Sequence, residues 1–212
     1  MPRNGTHPAP HPEPPPDIAN RPLPLMSVNH PWFRIHRREH QPLYFGRSGD
    51  NRFDAPAEEY GILYIAQDEY GAFIEVFGRD NVQETEARRN FVTTSALQKR
   101  ALVRIEPRQP LRLVDLEGSG LARLGADVRL GGGDDYLLAQ RWALALFQHP
   151  AQPDGICYRS RHDPSRLCAA IYDRAENLLS VLSQERLADP DPTPLVAKIL
   201  DTYELGLRDD EP

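Results

Sequence analysis

The sequence predicts a single mixed α+β domain, built as a twisted β-sheet flanked by helices. Three observations carry this reading. The run Ile62 to Ile65 is unbroken and apolar, as in a strand covered on both faces. Tyr70, Phe73, Ile74 and Phe77 follow it at the spacing of a core-facing helical stripe. A length of 212 residues with 40% apolar composition suits one domain plus tails.

Residues 1–31 are dominated by proline: Pro8, Pro10, Pro12 and the run Pro14 to Pro16 alternate with histidine and alanine. A segment of this kind buries too little surface to fold, so it is expected to be an extended or disordered tail. Deleting residues 1–28 should then leave folding unchanged. A spacer or solubilising arm is the plain reading, and a ligand for a proline-recognising partner is the alternative.

Order is expected from Trp32. In a strand, Trp32, Arg34 and His36 share one face, and Phe33 and Ile35 share the other. Arg37, Arg38, Arg47 and Arg52 come next, the last two in the turn-rich segment from Pro42 to Pro56. Such a cluster in an acidic chain suits a compact anionic ligand such as a pyrophosphate. Surface pairing with Glu39, Asp50, Asp54, Glu58 and Glu59 accounts for it equally well.

The strand from Gly61 to Ala66 places Tyr64 where its hydroxyl needs a partner. Asp68 is a fitting N-cap for a helix from Asp68 to Phe77. Glu75 falls on a face of its own, above Gly71 and Ala72, where two small residues leave room for an approaching group. Helix geometry alone favours a solvated carboxylate there.

Beyond Gly78, the polar segment from Asp80 to Asn90 reads as an exposed loop or a frayed helix. Strands are predicted over Arg100 to Glu106 and Leu111 to Leu116, with Pro107 and Pro110 between them. A short helix is expected over Leu121 to Leu124. Gly131 to Gly133 is a flexible loop that lacks the Lys-Ser/Thr of a phosphate loop. Asp134 or Asp135 caps a helix from Tyr136 to Phe147.

Gly155 to Ser160 and Leu167 to Tyr172 read as strands, antiparallel neighbours across the Asp163-Pro164 turn. Ser160 has no Gly-x-Ser-x-Gly elbow and is read alone as a strand-end serine bonded to backbone. Two helices, Ala175 to Leu182 and Pro194 to Leu207, flank the turn from Asp189 to Pro192, and residues 209–212 should fray.

The chain holds 31 acidic and 25 basic residues, for a net charge of −6. That balance argues against general binding along a nucleic-acid backbone. Apolar runs are too short for a transmembrane helix or a signal-peptide core, so a soluble, cytoplasmic protein is expected. Cys157 and Cys168 lie in apolar contexts without a CxxC pattern, as buried reduced thiols do. The seven histidines are scattered, and no metal site is read.

Five blocks then support a family resemblance. These are Trp32-Phe33-Arg34-Ile35, Gly49-Asp50-Asn51-Arg52-Phe53, Leu63-Tyr64-Ile65-Ala66, Ala72-Phe73-Ile74-Glu75 and Gly155-Ile156-Cys157-Tyr158-Arg159-Ser160. In this order and spacing they resemble the RES-domain family, over roughly Trp32 to Asp173. The resemblance implies a fold like that of ADP-ribosyltransferases. It also implies the NAD-degrading toxin of a toxin–antitoxin pair, with an Xre-like antitoxin as partner. The family's arginine, glutamate and serine fall on Arg52, Glu75 and Ser160 as catalytic residues, and Arg34 and Tyr64 become substrate-binding residues. Many members read Gly-Gly-Arg-Trp-Asn where this chain has Asp50-Asn51-Arg52-Phe53-Asp54, and the proline-rich start has no counterpart.

The residue types suit that chemistry. Cleaving the bond from ribose to a cationic nicotinamide passes through an oxocarbenium-like state that one carboxylate can stabilise, because nicotinamide leaves without a proton. Arginines match phosphate oxygens with paired donors. Tyr64 is suited to stacking on a ring or holding a ribose hydroxyl, and Ser160 to orienting the ribose or the carboxamide. The resulting expectation is an NAD glycohydrolase or NAD phosphorylase. NAD is its substrate, inorganic phosphate a candidate co-substrate, and no cofactor is needed. No nucleic acid or membrane partner is expected, and a homodimer is compatible. The alternatives are ADP-ribosyl transfer to a macromolecule and a non-catalytic NAD-binding module.

Overall fold

In a computed structural model of the chain, the structure describes residues 11–83 and 90–209. The chain runs through β1 (Leu25–Val28), β2 (Trp32–Arg37), β3 (Ile62–Ala66), α1 (Glu69–Gln83), β4 (Phe91–Thr93), α2 (Thr94–Gln98), β5 (Arg100–Pro107) and β6 (Leu111–Asp115). It continues through α3 (Gly118–Leu124), α4 (Arg129–Gly132), α5 (Tyr136–Phe147), β7 (Gly155–Arg159), β8 (Leu167–Tyr172), β9 (Leu179–Arg186), α6 (Pro194–Thr202) and β10 (Gly206–Arg208).

Eight strands form one sheet in the order β1-β6-β7-β8-β3-β2-β5-β9, and β10 and β4 make a small parallel pair. Neighbours in the large sheet are antiparallel except β6 and β7.

The apolar run of β3 is covered on both faces, as its composition requires. Leu63 and Ile65 enter one buried cluster, and Ile62 and Ala66 enter another. The second cluster lies under the helices, where Phe73 and Phe77 of α1, Trp142 and Leu146 of α5, and Val196 and Ile199 of α6 meet the sheet. The first draws Val28, Trp32, Leu63, Val103, Leu113, Cys157, Ile171 and Leu179, one from each strand of the large sheet. A cluster fed by every strand and by no α-helix requires the sheet to curl over its own inner face. The fold is therefore a mixed α+β domain with a curled sheet and flanking helices.

Cys157 joins the inner cluster and Cys168 the helix-side one, and both thiols are free. Burial pushes both thiols up, so neither is a ready nucleophile.

Several expectations need correction, among them the Gly131 to Gly133 loop, whose first two residues end α4. From residue 11 onward, the proline-rich start is ordered against the domain. The Trp142 indole N–H donates to the Pro12 carbonyl at 2.9 Å, Arg141 pairs with Glu13 at 2.6 Å, and Ile18 and Leu23 are buried. After a 3-10 turn at Ile18–Asn20, β1 adds to the sheet edge by pairing Leu25 to Val28 with Val114 to Leu111. Composition misleads here because the prolines precede the ladder, so no sheet hydrogen bond is lost to them, while Ile18, Leu23 and Val28 supply the apolar surface. Residues 1–10 lie outside the described residues.

The expected helix from Ala175 to Leu182 is instead a 3-10 turn over Asp173–Leu178 that leads into β9. β9 satisfies the open edge of β5 along its whole length, from Ala101 opposite Arg186 to Pro107 opposite Leu179. A long-range ladder outweighs local helical spacing there. The last helix ends at Thr202, and Gly206–Arg208 pairs with β4. α1 also continues past Gly78 to Gln83, and the rest of the expected polar loop, residues 84–89, lies outside the described residues.

Deleting residues 1–28 removes β1 together with the buried Ile18, Leu23 and Val28. At roughly 1.5–3 kcal/mol for each buried aliphatic side chain, the loss should lower Tm by about 10 °C or more. A thermal scan of the truncated chain checks this, and an unchanged Tm would show that the segment contributes no packing.

Candidate active site

β2 and β3 pair at a single position, Phe33 opposite Ala66, and then diverge. A cavity of about 500 Å³ opens at this split, with Phe33, Arg34 and Ile35 on one side and Tyr64, Ile65 and Ala66 on the other. Its volume falls in the range of ordinary ligand pockets. Ala72, Glu75 and Val76 of α1 and the segments around Arg52, Gly131, Tyr136 and Arg161 complete the walls.

Glu75 does not face open water. Gly71, Glu75 and Gly78 recur at helical spacing and form the face of α1 that packs on the 160–166 loop. A Cβ added at Gly71 would meet Arg166 Cβ at 3.3 Å, and one at Gly78 would meet the His162 ring at 2.9 Å. The two glycines let the loop approach closely enough for the Ser160 hydroxyl to donate to Glu75 Oε1 at 2.6 Å. The same hydroxyl oxygen accepts from the backbone N–H of His162 at 3.2 Å and of Asp163 at 3.1 Å. Ser160 is 1% exposed, so its hydroxyl is fixed by three partners and in turn fixes one oxygen of Glu75. The Tyr158 hydroxyl lies 3.5 Å from the other oxygen. The strand-end reading of Ser160 is correct for its backbone bonds but leaves out the bond to Glu75.

Arg166 locks this loop to the start of α1. It contacts Asp68 at 2.7 Å and Asp163 at 3.1 Å, while Asp68 caps the helix through the Gly71 N–H at 2.7 Å. Burial works to raise the Asp163 carboxyl. Hydrogen bonds from Ser165, Tyr203 and Arg166 outweigh it and hold the group at about 2.

Arg52 sits on a loop built around Asp54, which is 1% exposed. Asp54 Oδ2 accepts from the Ser48 hydroxyl at 3.1 Å, the Asn51 N–H at 3.1 Å and the Asn51 side-chain amide at 2.9 Å. The Tyr64 hydroxyl donates to Asp54 Oδ1 at 2.9 Å and accepts from the Phe53 N–H at 3.0 Å, which supplies the partner that Tyr64 needs. Burial first, then the charge of Asp54, pushes the Tyr64 phenol well above its ordinary value. Gln140 of α5 braces the loop from outside through the Gly49 and Asn51 carbonyls at 2.7 and 3.0 Å.

The Arg52 guanidinium is buried, donates to the Gly133 carbonyl at 2.5 Å and lies 4.7 Å from the centre of the Tyr136 ring. Arg34 donates to the Tyr44 carbonyl at 3.2 Å, and desolvation pushes its guanidinium down to about 10. Neither has a carboxylate ion-pair partner among the described residues.

The expected arginine cluster therefore divides. Arg34 and Arg52 reach the cavity, whereas Arg37 pairs with Glu39, Arg38 donates to the Gln98 carbonyl, and Arg47 pairs with Asp173. Glu75 and Tyr64 line the same cavity, and Ser160 sits behind Glu75. Sequence reasoning missed Tyr136, Tyr158, Arg161 and His162 in the walls and Asp54 and Gln140 behind them. The alignment of Gly71, Glu75 and Gly78 on one face was the available signal that something packs closely there. Among the described residues, no group of three or more His, Cys, Asp or Glu gathers as a metal would require, and no helix is long and apolar enough to cross a membrane.

The family model described as the RES domain matches residues 31–194. The chain belongs to the RES-domain family. The probable toxin y4kH of Sinorhizobium fredii (strain NBRC 101917 / NGR234) is 35% identical over 111 residues, which span 52% of this chain and 85% of that relative. A chain of the crystal structure of the M. tuberculosis MbcT–MbcA toxin–antitoxin complex superimposes with a TM-score of 0.65 at 15% identity, covering 84% of this RES protein and 92% of that chain. At that identity the likeness is one of fold. The family match begins after β1, so the ordered start of this RES protein lies outside the shared part.

Replacing Asp54 by alanine should remove the acceptor of the Tyr64 hydroxyl in a partly buried setting and the Asp54 contacts of Ser48 and Asn51. A cost of about 1–3 kcal/mol is expected, from groups left without acceptors. Urea unfolding measures it, and a loss below about half a kcal/mol would mean that the loop does not depend on this carboxylate.

Proposed function

We propose that this RES protein is an NAD-degrading enzyme that cleaves the bond between nicotinamide and ribose, and that it is the toxin of a toxin–antitoxin pair. The observation that carries the reading is one carboxylate, Glu75, held by a buried serine in a cavity where two of the three lining arginines, Arg34 and Arg52, have no carboxylate partner among the described residues. Membership of the RES-domain family supports it, as does the likeness to a probable toxin.

In this reading Arg34 and Arg52 hold the diphosphate, because partly or fully buried guanidinia with no carboxylate partner among the described residues favour a ligand that brings negative charge. Tyr64 and Tyr136 offer ring faces and Phe33 an apolar wall for the flat parts of the dinucleotide. Glu75 lies beside the ribose carbon that bears nicotinamide. As the bond from that carbon to the ring nitrogen breaks, the electron pair leaves with nicotinamide and positive charge grows on the ribose. Glu75 stabilises that charge, and Ser160 acts as its positioning residue by keeping the carboxylate in one rotamer. A water or phosphate oxygen then bonds to the ribose carbon; attacking water gives up a proton to solvent, and the product is ADP-ribose or its phosphorylated counterpart.

A toxin of this kind needs a neutralising partner, and we propose a protein antitoxin of the Xre-like type. The fold neighbour, itself a chain of a toxin–antitoxin complex, supports a protein antitoxin as partner, and the Xre-like type rests on the family resemblance.

Glu75→Gln should fold normally, retain NAD and lose on the order of a hundredfold or more in turnover, because it removes charge stabilisation made mainly in the transition state. Arg52→Ala should chiefly weaken NAD binding. Mass spectrometry of the products also decides the reaction: ADP-ribose means hydrolysis, its phosphorylated form phosphorolysis, and a labelled macromolecule transfer. Fresh, partner-free protein that leaves NAD intact, with and without phosphate, would end the enzymatic reading.

A further inference from the structure

A third guanidinium reaches the cavity, and a single loop controls two of the three. Arg161 follows Ser160 directly and lines the wall beside Glu75. Its Nη2 lies 2.6 Å from Asp134 Oδ1. The preceding residue, Gly133, offers its carbonyl to Arg52. Adjacent positions of the loop that joins α4 to α5 thus occupy the two guanidinia with stand-in acceptors, one a carbonyl and one a carboxylate.

The two members of the outer pair are unequally placed. The Asp134 side chain is 87% exposed and that of Arg161 only 35%. A carboxylate so open to water gains little from the pair, and its own side-chain rotation is enough to release it. Arg161 stays in the cavity wall, where a phosphoryl oxygen offers the same acceptor chemistry with more charge.

We infer that Arg161 is an anion-binding residue of this cavity and that Asp134 is its displaceable counter-ion, giving way to a phosphoryl oxyanion. This rests on the anion-site reading of the cavity but not on NAD cleavage. The oxyanion has two sources: the diphosphate of the dinucleotide, held together with Arg52, or an inorganic phosphate acting as acceptor near Glu75.

A salt bridge that merely tied two loops together would respond alike to loss of either partner. A displaceable counter-ion responds with opposite signs. Binding is measured by calorimetry on the full chain carrying Glu75→Gln, with NAD, inorganic pyrophosphate and inorganic phosphate as separate probes. Arg161→Gln should weaken at least one probe by about tenfold or more, as expected for loss of a charge-assisted hydrogen bond. Asp134→Asn should tighten the same probe by about two- to fivefold, and this gain should vanish when both changes are combined.

An effect on NAD and pyrophosphate assigns the diphosphate, and an effect on phosphate alone assigns the acceptor. The inference fails if Arg161→Gln leaves all three probes unchanged. It also fails if both single variants weaken binding alike, or if the Asp134→Asn gain survives without Arg161. Arg161-dependent phosphate or pyrophosphate binding in a wild-type chain that leaves NAD intact would support this inference while removing the enzymatic one.

Discussion

The cavity exists because β2 and β3 cannot close against each other. Each is fixed from its outer side: β2 pairs with β5 at six positions, and β3 with β8 at five. Between them only Phe33 and Ala66 meet. The curl of the sheet sets the outer pairings, so the split is a consequence of the fold and not a local defect. A site opened between strands that are rigid on their far sides is held more firmly than one assembled from loops alone.

Around that split, the acidic groups nearest the cavity are almost all committed to internal partners. Asp54 is spent on Tyr64, Asn51 and Ser48, Asp163 and Asp68 on Arg166, and Asp173 on Arg47. Glu75 is the exception, with a serine hydroxyl as its close partner and no cation paired with it among the described residues. The arginines show the mirror image, since Arg34 and Arg52 rest on carbonyl oxygens. A carbonyl orients a guanidinium without cancelling its charge, and a hydroxyl does the same for a carboxylate. Both signs of charge are therefore presented to the cavity uncompensated, at an orientation already set before a ligand arrives.

Much of this was legible in the sequence because it is local. The β3 run, the α1 stripe, the Asp68 cap, the α5 helix with its Asp135 cap and the β7–β8 pair all rest on patterns within about a dozen residues. The resemblance to the RES-domain family named Arg34, Arg52, Tyr64 and Glu75, which the fold gathers on one cavity, and Ser160 behind it. What stayed hidden depends on distant partners. Helix geometry alone sent Glu75 to solvent, because nothing local reveals that a loop 85 residues later covers that face. The first half of β9, Leu179 to Leu182, reads as helix until the open edge of β5 is known. Arg47 and Arg52 look alike in sequence, yet one is neutralised by Asp173, 126 residues away, and the other is not.

The ordered start of the chain belongs to the same logic. α5 carries Tyr136 and Gln140, one turn apart, toward the Arg52 loop, and Arg141 and Trp142 toward residues 12 and 13. At its other end His149 lies 3.1 Å from the Arg21 carbonyl. The helix that braces the Arg52 loop is thus itself braced along its length by a segment that the family match does not include. Proline suits that segment for the reason that made it look like a tail. A chain whose φ angles are already fixed loses less entropy on being laid against a helix, so few contacts suffice to hold it there.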